Sequence, residues 1–367
     1  MRELFIENEL REIFAKVEAG QRLSREDGLI LMESKDLLTL GYLAGQVKER
    51  KNGNKVYFNH NRHINHTNIC VNRCKLCAFG VDPVHPNAYL LTLEEIEAKA
   101  EEMVGKNISE IHIVGGLHPD LPFEYYLTML IRIKKILPHV HIKAFTAVEI
   151  DYFAQTTGLA LEEVFRKLQK AGLDSLPGGG AEIFSKGVRD LICEKKISGD
   201  RWLEVMKVAH NMGMRTNATM LYGHVETSEE RIDHLIQLRE LQDKTGGFMT
   251  FIPLAFHPQN TALESMNLTR TTGFEDLKVL AVARLMLDNF DHIKAYWVMI
   301  GPKLAQVSLA FGVDDLDGTV IEEKITHAAG ADAGQALSKM QLAAMIKAAG
   351  FQPVERDTLY NIVQGDF

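Results

Sequence analysis

The chain has 367 residues, 46% of them hydrophobic and 25% charged, and 41 basic against 49 acidic side chains give a net charge of −8. That length suits one large domain or two average ones with a sizeable core. The acids are dispersed and no basic face stands out, which excludes a general nucleic-acid binder, and no run reaches the ~18 apolar residues of a membrane span. The opening MRELFIENELREIF has neither the apolar region nor the small-residue cleavage site of a secretory leader, so a cytoplasmic protein is expected.

Residues 1–50 carry helical periodicity. Leu4, Ile6, Leu10, Ile13, Phe14 and Val17 recur at three- and four-residue spacing, and Ser24 with Asp27 reads as a capping box. Lys51-Asn52-Gly53-Asn54 signals a turn, after which an extended run is predicted over 57–65. Further strands are predicted over 111–114, 141–146, 173–176, 215–221, 249–256 and 293–298. Amphipathic helices alternate with them over 93–104, 123–136, 161–171, 202–212, 229–242 and 277–287. Such alternation demands parallel strands with helical crossovers. Seven strands exceed the needs of a small doubly wound domain, which stays as the structural alternative. The expected fold is an α/β (β/α) TIM-type barrel, complete or incomplete. An N-terminal helical segment (1–50) would precede the barrel (51–319), and a C-terminal helical extension (320–367) would pack on it.

A parallel barrel gathers its functional groups at the C-terminal ends of its strands. The predicted strand ends carry Gly115-Gly116-Leu117-His118, Gly178-Gly179-Gly180, Tyr222-Gly223-His224 and His257-Pro258. Cys70, Cys74 and Cys77 follow the first such strand in a CxxxCxxC loop, with Cys193 far away. Three thiols this close suit a metal centre. One form is zinc, with His63 or His66 as a fourth ligand; the other is a cubane [4Fe–4S] cluster whose fourth iron has no protein ligand. Gly115 and Gly116 read as a tight turn needing positive φ. Gly178 to Gly180 match neither a P-loop nor a dinucleotide fingerprint. Glu182 just beyond them suits a first helical turn or the hydroxyls of a sugar. His118, Asn217 and His257 are candidate substrate contacts by position, and Lys143, inside a strand, needs a carboxylate such as Glu149 or a ligand's. No residue is singled out as a catalytic acid or base.

The cysteine loop at a barrel mouth resembles the radical S-adenosylmethionine (SAM) superfamily, with Leu76 where an aromatic residue is usual before the third cysteine. HINHTNICVNRCKLCAFG, IHIVGGLHPDLPFEYY, HIKAFTAVEI, LDSLPGGGAEIF, TNATMLYGHVET, IPLAFHP and VERDTLYN together resemble the aminofutalosine synthase family of menaquinone biosynthesis. The resemblance implies a [4Fe–4S] cluster on Cys70, Cys74 and Cys77, its fourth iron open to SAM. It implies that Gly115 and Gly116 approach the SAM amino group and that Glu182 meets the SAM ribose. The implied reaction adds the 5′-deoxyadenosyl radical to 3-[(1-carboxyvinyl)oxy]benzoate, an enolpyruvyl benzoate. Aryl migration and loss of carbon dioxide then give 6-amino-6-deoxyfutalosine. The implied partners are that small molecule and a reducing donor such as flavodoxin or ferredoxin. The dehypoxanthine futalosine cyclase and the deazaflavin (F420 precursor) synthases share parts of the motif set and are the alternatives. A non-catalytic iron–sulfur or zinc protein is the alternative of another class.

Overall fold

A computed structural model describes residues 8–365 and 367; Leu4 and Ile6 lie outside the described residues. Three helices come first, α1 (Asn8–Glu18), α2 (Arg25–Glu33) and α3 (Leu37–Asn52). The predicted capping box opens α2: the Asp27 N–H donates to the Ser24 hydroxyl at 3.2 Å and the Ser24 N–H to the Asp27 carboxylate at 2.8 Å.

The extended run at 57–65 is two strands. β1 (Lys55–Asn59) and β2 (Asn61–Ile64) part at His60 and enter different sheets. Uniform burial on both sides of His60 hides the break from a hydropathy reading. From β2 the chain builds a seven-stranded parallel sheet in sequence order, through β3 (Glu110–Ile113), β4 (His141–Ala144), β5 (Ser175–Leu176), β6 (Arg215–Tyr222), β7 (Phe248–Ala255) and β8 (His292–Ile293). The crossovers carry α4 (Leu93–Glu101), α5 (Phe123–Ile136), α6 (Ala147–Thr157), α7 (Leu161–Ala171), α8 (Lys186–Ile192), α9 (Gly199–Asn211), α10 (Ser228–Thr245) and α11 (Gly273–Met286). Two predicted strands run too far. Residues after 144 turn into α6 through a Thr146–Glu149 capping box, and β8 gives way to α12 (Trp297–Ile300), followed by α13 (Pro302–Ser308).

The barrel is therefore incomplete. The gap between β8 and β2 is spanned by β9 (Asp315–Gly318) and the residues after it: Asp315 bridges to Lys294 on one side and Ile321 to Arg62 on the other. The backbone there is left-handed at Asp317, Val320 and Glu322, unusual for non-glycine residues.

The C-terminal extension is not purely helical. Beyond α14 (Ile325–Ala328) and α15 (Lys339–Ala348) come β10 (Gln352–Arg356), parallel to β1, and the antiparallel β11 (Ile362–Gln364). They form a second sheet in the order β11-β10-β1-β9. Because β1 leads directly into β2, this sheet lies at the N-terminal end of the barrel. Glu355 and Arg356 are charged, yet both are buried there.

The barrel floor is ionic. Lys143 pairs with Glu110 at 2.7 Å, not with Glu149, and Thr358 donates to the same Glu110 at 2.8 Å. Lys294 pairs with Asp317 at 2.9 Å, and Asp315 accepts from Arg356 at 2.7 Å and Tyr360 at 2.8 Å. Buried charges survive only when matched in this way.

Candidate active site

The segment around the cysteines is a scaffolded loop. Asn65 Nδ2 donates to Val114 O at 3.0 Å, Thr67 Oγ1 to Tyr89 O at 2.6 Å and Asn68 Nδ2 to Asn87 O at 2.9 Å, so these three side chains are spent on loop architecture. The backbone N–H groups of Cys70 and Val71 reach Val81 O and Leu117 O at 3.1 and 3.0 Å. Arg73, left-handed at φ 47°, ties Gly80 O at 2.9 Å, and the Gly80 N–H points at Cys77 Sγ at 3.3 Å. Cys70, Cys74 and Cys77 all line one cavity of ≈ 320 Å³ at the C-terminal end of the barrel.

This donor set fits a cluster. Cys70, Cys74 and Cys77 face one cavity from one loop, and a cubane takes one thiolate on each of three separate irons. Burial pushes the Cys74 thiol up to about 12 and raises Cys77 as well, so ionisation there calls for a cationic partner such as iron. Cys193 is buried at the end of α8, behind this loop.

The two glycine motifs serve close approach. Neither Gly115 nor Gly116 has positive φ, which corrects the tight-turn expectation. A Cβ at Gly116 would meet Ile69 O at 2.1 Å, and one at Gly115 would meet the His66 ring at 2.4 Å; the β3 end thus presses against the cysteine loop. Gly178 abuts the β6 backbone in the same manner, with Ala218 C 2.8 Å from its would-be Cβ.

Glu182 caps no helix. It precedes α8 by several residues, is left-handed at φ 46°, lines the cavity and pairs with Lys196. Burial opposes its ionisation, but Lys196 holds the carboxyl below its usual range, and Lys196 is raised well above its own. Lys196 carries no sequence signal, since it sits in the CEKK run between two helices. Glu149 also lines the cavity and accepts from the Gly115 N–H at 3.2 Å and the Thr146 N–H at 2.7 Å; burial pushes it up to about 7.

Of the proposed substrate contacts, Asn217 and His257 line the cavity and His118 does not. His118 is turned to the Asp120 N–H at 3.1 Å. Asn217 Oδ1 is buried without a partner, and His257 Nε2 lies 2.9 Å from Met299 O. His224 belongs to a turn in which the Glu226 carboxylate accepts from the Gly223 N–H at 2.6 Å and the His224 N–H at 2.9 Å.

Sequence reasoning missed the cavity's inner wall. β2 and β3 are registered with His63 opposite His112, and their rings stack with centroids 4.5 Å apart and planes 5° apart. Tyr296, Asp317, Glu323 and Thr326 close that side, so the C-terminal region belongs to the site as much as the cysteine loop does. Strand parity on HINH and IHIV could have paired the two histidines, but nothing local marks the residues after 319.

Comparison with known proteins agrees with this architecture. The radical SAM superfamily profile matches residues 64–238, and the CofH/MqnC C-terminal region matches 245–365. The chain is 51% identical to an aminodeoxyfutalosine synthase of Thermus thermophilus over 96% of this chain and 95% of that one. It is 46% identical to an aminodeoxyfutalosine synthase of Streptomyces coelicolor over 96% and 94%. A 5-amino-6-(D-ribitylamino)uracil–L-tyrosine 4-hydroxyphenyl transferase of Methanopyrus kandleri is 43% identical over 85% of each chain. Among solved structures, methylornithine synthase (PylB) superposes with a TM-score of 0.72 over 93% of this chain and 97% of its own, at 20% identity. The hydrogenase maturase HydG gives 0.74 over 96% and 77%, at 17% identity. A cysteine loop at the mouth of an open parallel barrel, closed by a matching C-terminal region, places this chain in the radical SAM superfamily, in the branch that includes the aminodeoxyfutalosine synthases.

Proposed function

We infer that the protein is an aminodeoxyfutalosine synthase, joining the 5′-deoxyadenosyl group of SAM to 3-[(1-carboxyvinyl)oxy]benzoate with aryl migration and loss of carbon dioxide. The observation that carries this reading is the 51% identity to a synthase over nearly the whole of both chains. It includes the C-terminal region that walls the cavity. When bound, a [4Fe–4S] cluster charged by a flavodoxin- or ferredoxin-class donor supplies the electron that splits SAM.

Cys70, Cys74 and Cys77 hold the cluster in this reading. Gly115 and Gly116 admit the methionine end of SAM, and the Glu182–Lys196 pair offers an acceptor to ribose hydroxyls and a cation to the carboxylate. Leu221, Ile252, Leu254 and Phe256 supply an apolar wall that suits a benzoate ring and excludes water from a reactive carbon. Holding the alkene beside C5′ is what favours addition over hydrogen abstraction.

The test is an anaerobic incubation with dithionite, the enolpyruvyl benzoate and SAM labelled in its adenosine. Label is expected in a nucleoside that carries the aryl ring, with release of carbon dioxide. Recovery of the label as 5′-deoxyadenosine with the benzoate untouched overturns the reading. Consumption of tyrosine with the ribitylaminouracil, or of dehypoxanthine futalosine, would then decide between the transferase and the cyclase.

A further inference from the structure

We propose that the stacked imidazoles of His63 and His112 form the subsite that receives the ring carboxylate of the substrate. The inference rests on the synthase reading. That substrate carries two carboxylates and an ether oxygen, all acceptors, so the groups that recognise it must donate. Much of the cavity wall cannot. Asn217 Oδ1 and His257 Nδ1 are buried acceptors, and His257 Nε2 lies 2.9 Å from Met299 O, so on that wall only the Asn217 amide N–H is left to donate. Lys196 is committed to Glu182 and, in the synthase reading, to the SAM carboxylate, and the Thr219 hydroxyl donates to Gly178 O at 2.7 Å.

His63 differs from all of these. The residue is 6% exposed and lines the cavity, and its Nε2, itself buried, has no hydrogen-bond partner. No neighbour on Nε2 fixes its tautomer, so the ring can present its proton to a ligand.

The charges around the pair leave room for one anion. Glu110 is matched by Lys143, Asp317 by Lys294, and Glu323 by His327 at 3.0 Å. An incoming carboxylate is thus the one unmatched charge, and the rings, stacked 4.5 Å apart and both shifted by burial toward the neutral form, meet it as neutral N–H donors. Position selects which carboxylate it is. Both histidines lie within β2 and β3, below the strand ends that carry the cysteine loop. The vinyl carbon must stay near that loop, and the vinyl carboxylate stays with it; the ring carboxylate is the group that reaches inward.

The test is calorimetric binding to the anaerobic, cluster-loaded enzyme with SAM but no reductant, so that nothing turns over. The ligands are the enolpyruvyl benzoate and its analogue without the ring carboxylate. Wild type should prefer the dicarboxylate at least tenfold. His63→Phe should lose that preference while binding the analogue and SAM within about twofold of wild type. His63→Gln, which keeps a donor, should retain part of it. A preference that survives His63→Phe overturns the subsite alone, as does an equal loss of affinity for both ligands. Wild-type enzyme that binds neither ligand overturns the synthase reading and the subsite with it.

Discussion

At the scale of single residues, the polar motifs divide into those that face the cavity and those that build its frame. The three cysteines were legible because their spacing has few other uses. The histidines were less so, since a histidine at a strand end looks the same whether it meets a ligand or a backbone amide. His118 and His224 proved to be of the second kind, their Nδ1 atoms accepting from the Asp120 and Val225 N–H groups. The turn at His224 gives a pH test. Burial opposes ionisation of Glu226, but His224, Arg231 and the Gly223 N–H hold its carboxyl down to about 2. A carboxyl depressed in the fold stabilises it above the unfolded value near 4.3 and loses that contribution as pH falls through the folded value. Glu226→Gln should therefore cost on the order of 1.5–3 kcal/mol above pH ~5, and the difference from wild type should shrink on acidification toward pH ~2. Urea unfolding at a series of pH values reads this directly. A difference that stays constant across the series would show that the charge of Glu226 is immaterial.

At the scale of elements, alternation of strand and helix read true from β3 to α11, with α6 and α8 left out, because each unit buries an apolar face against its neighbours. It failed where one segment serves two sheets. The run 57–65 is evenly buried, and only the partners β10 and β3 reveal the break at His60. β10 escaped notice because its Glu355 and Arg356 are buried by pairing, which no local pattern announces. The glycine motifs were visible, but their reason was not: the contact that forbids a side chain at Gly116 is the carbonyl of Ile69, 47 residues earlier. Gly116→Ala should push the cysteine loop away at a cost of about 1–3 kcal/mol. Iron and sulfide per chain after anaerobic reconstitution should fall well below wild type, while Gly187→Ala, whose Cβ meets nothing within 4 Å, should load normally. Equal loading of the two variants would mean that the β3 end does not set the loop.

At the scale of the molecule, an incomplete barrel was foreseeable, but not how it is finished. The four-stranded sheet seals the floor through ion pairs and hydrogen bonds between residues far apart in sequence, the Thr358 hydroxyl donating to Glu110 across 248 residues. Breaking one pair exposes how much the seal matters. Arg356→Met would leave Asp315 buried at 0% exposure with Tyr360 as its remaining side-chain donor. The expected loss is about 3–5 kcal/mol, read as a lower urea midpoint with an unchanged slope. A midpoint within error of wild type would show that Tyr360 suffices.

The segment that spans the seam between β8 and β2 has a consequence for how the protein is made. A ribosome delivers β1 and the cysteine loop early, but β9 and β10, the strands that flank β1, arrive some 260 and 300 residues later. For most of translation the nascent chain therefore holds a strand with two unpaired edges beside an open, apolar-lined barrel. Such edges invite pairing with other chains. Cluster loading before the seam closes would also meet a mouth still missing its C-terminal wall, so completion of the chain, rather than formation of the cysteine loop, sets when the reactive chamber first becomes enclosed.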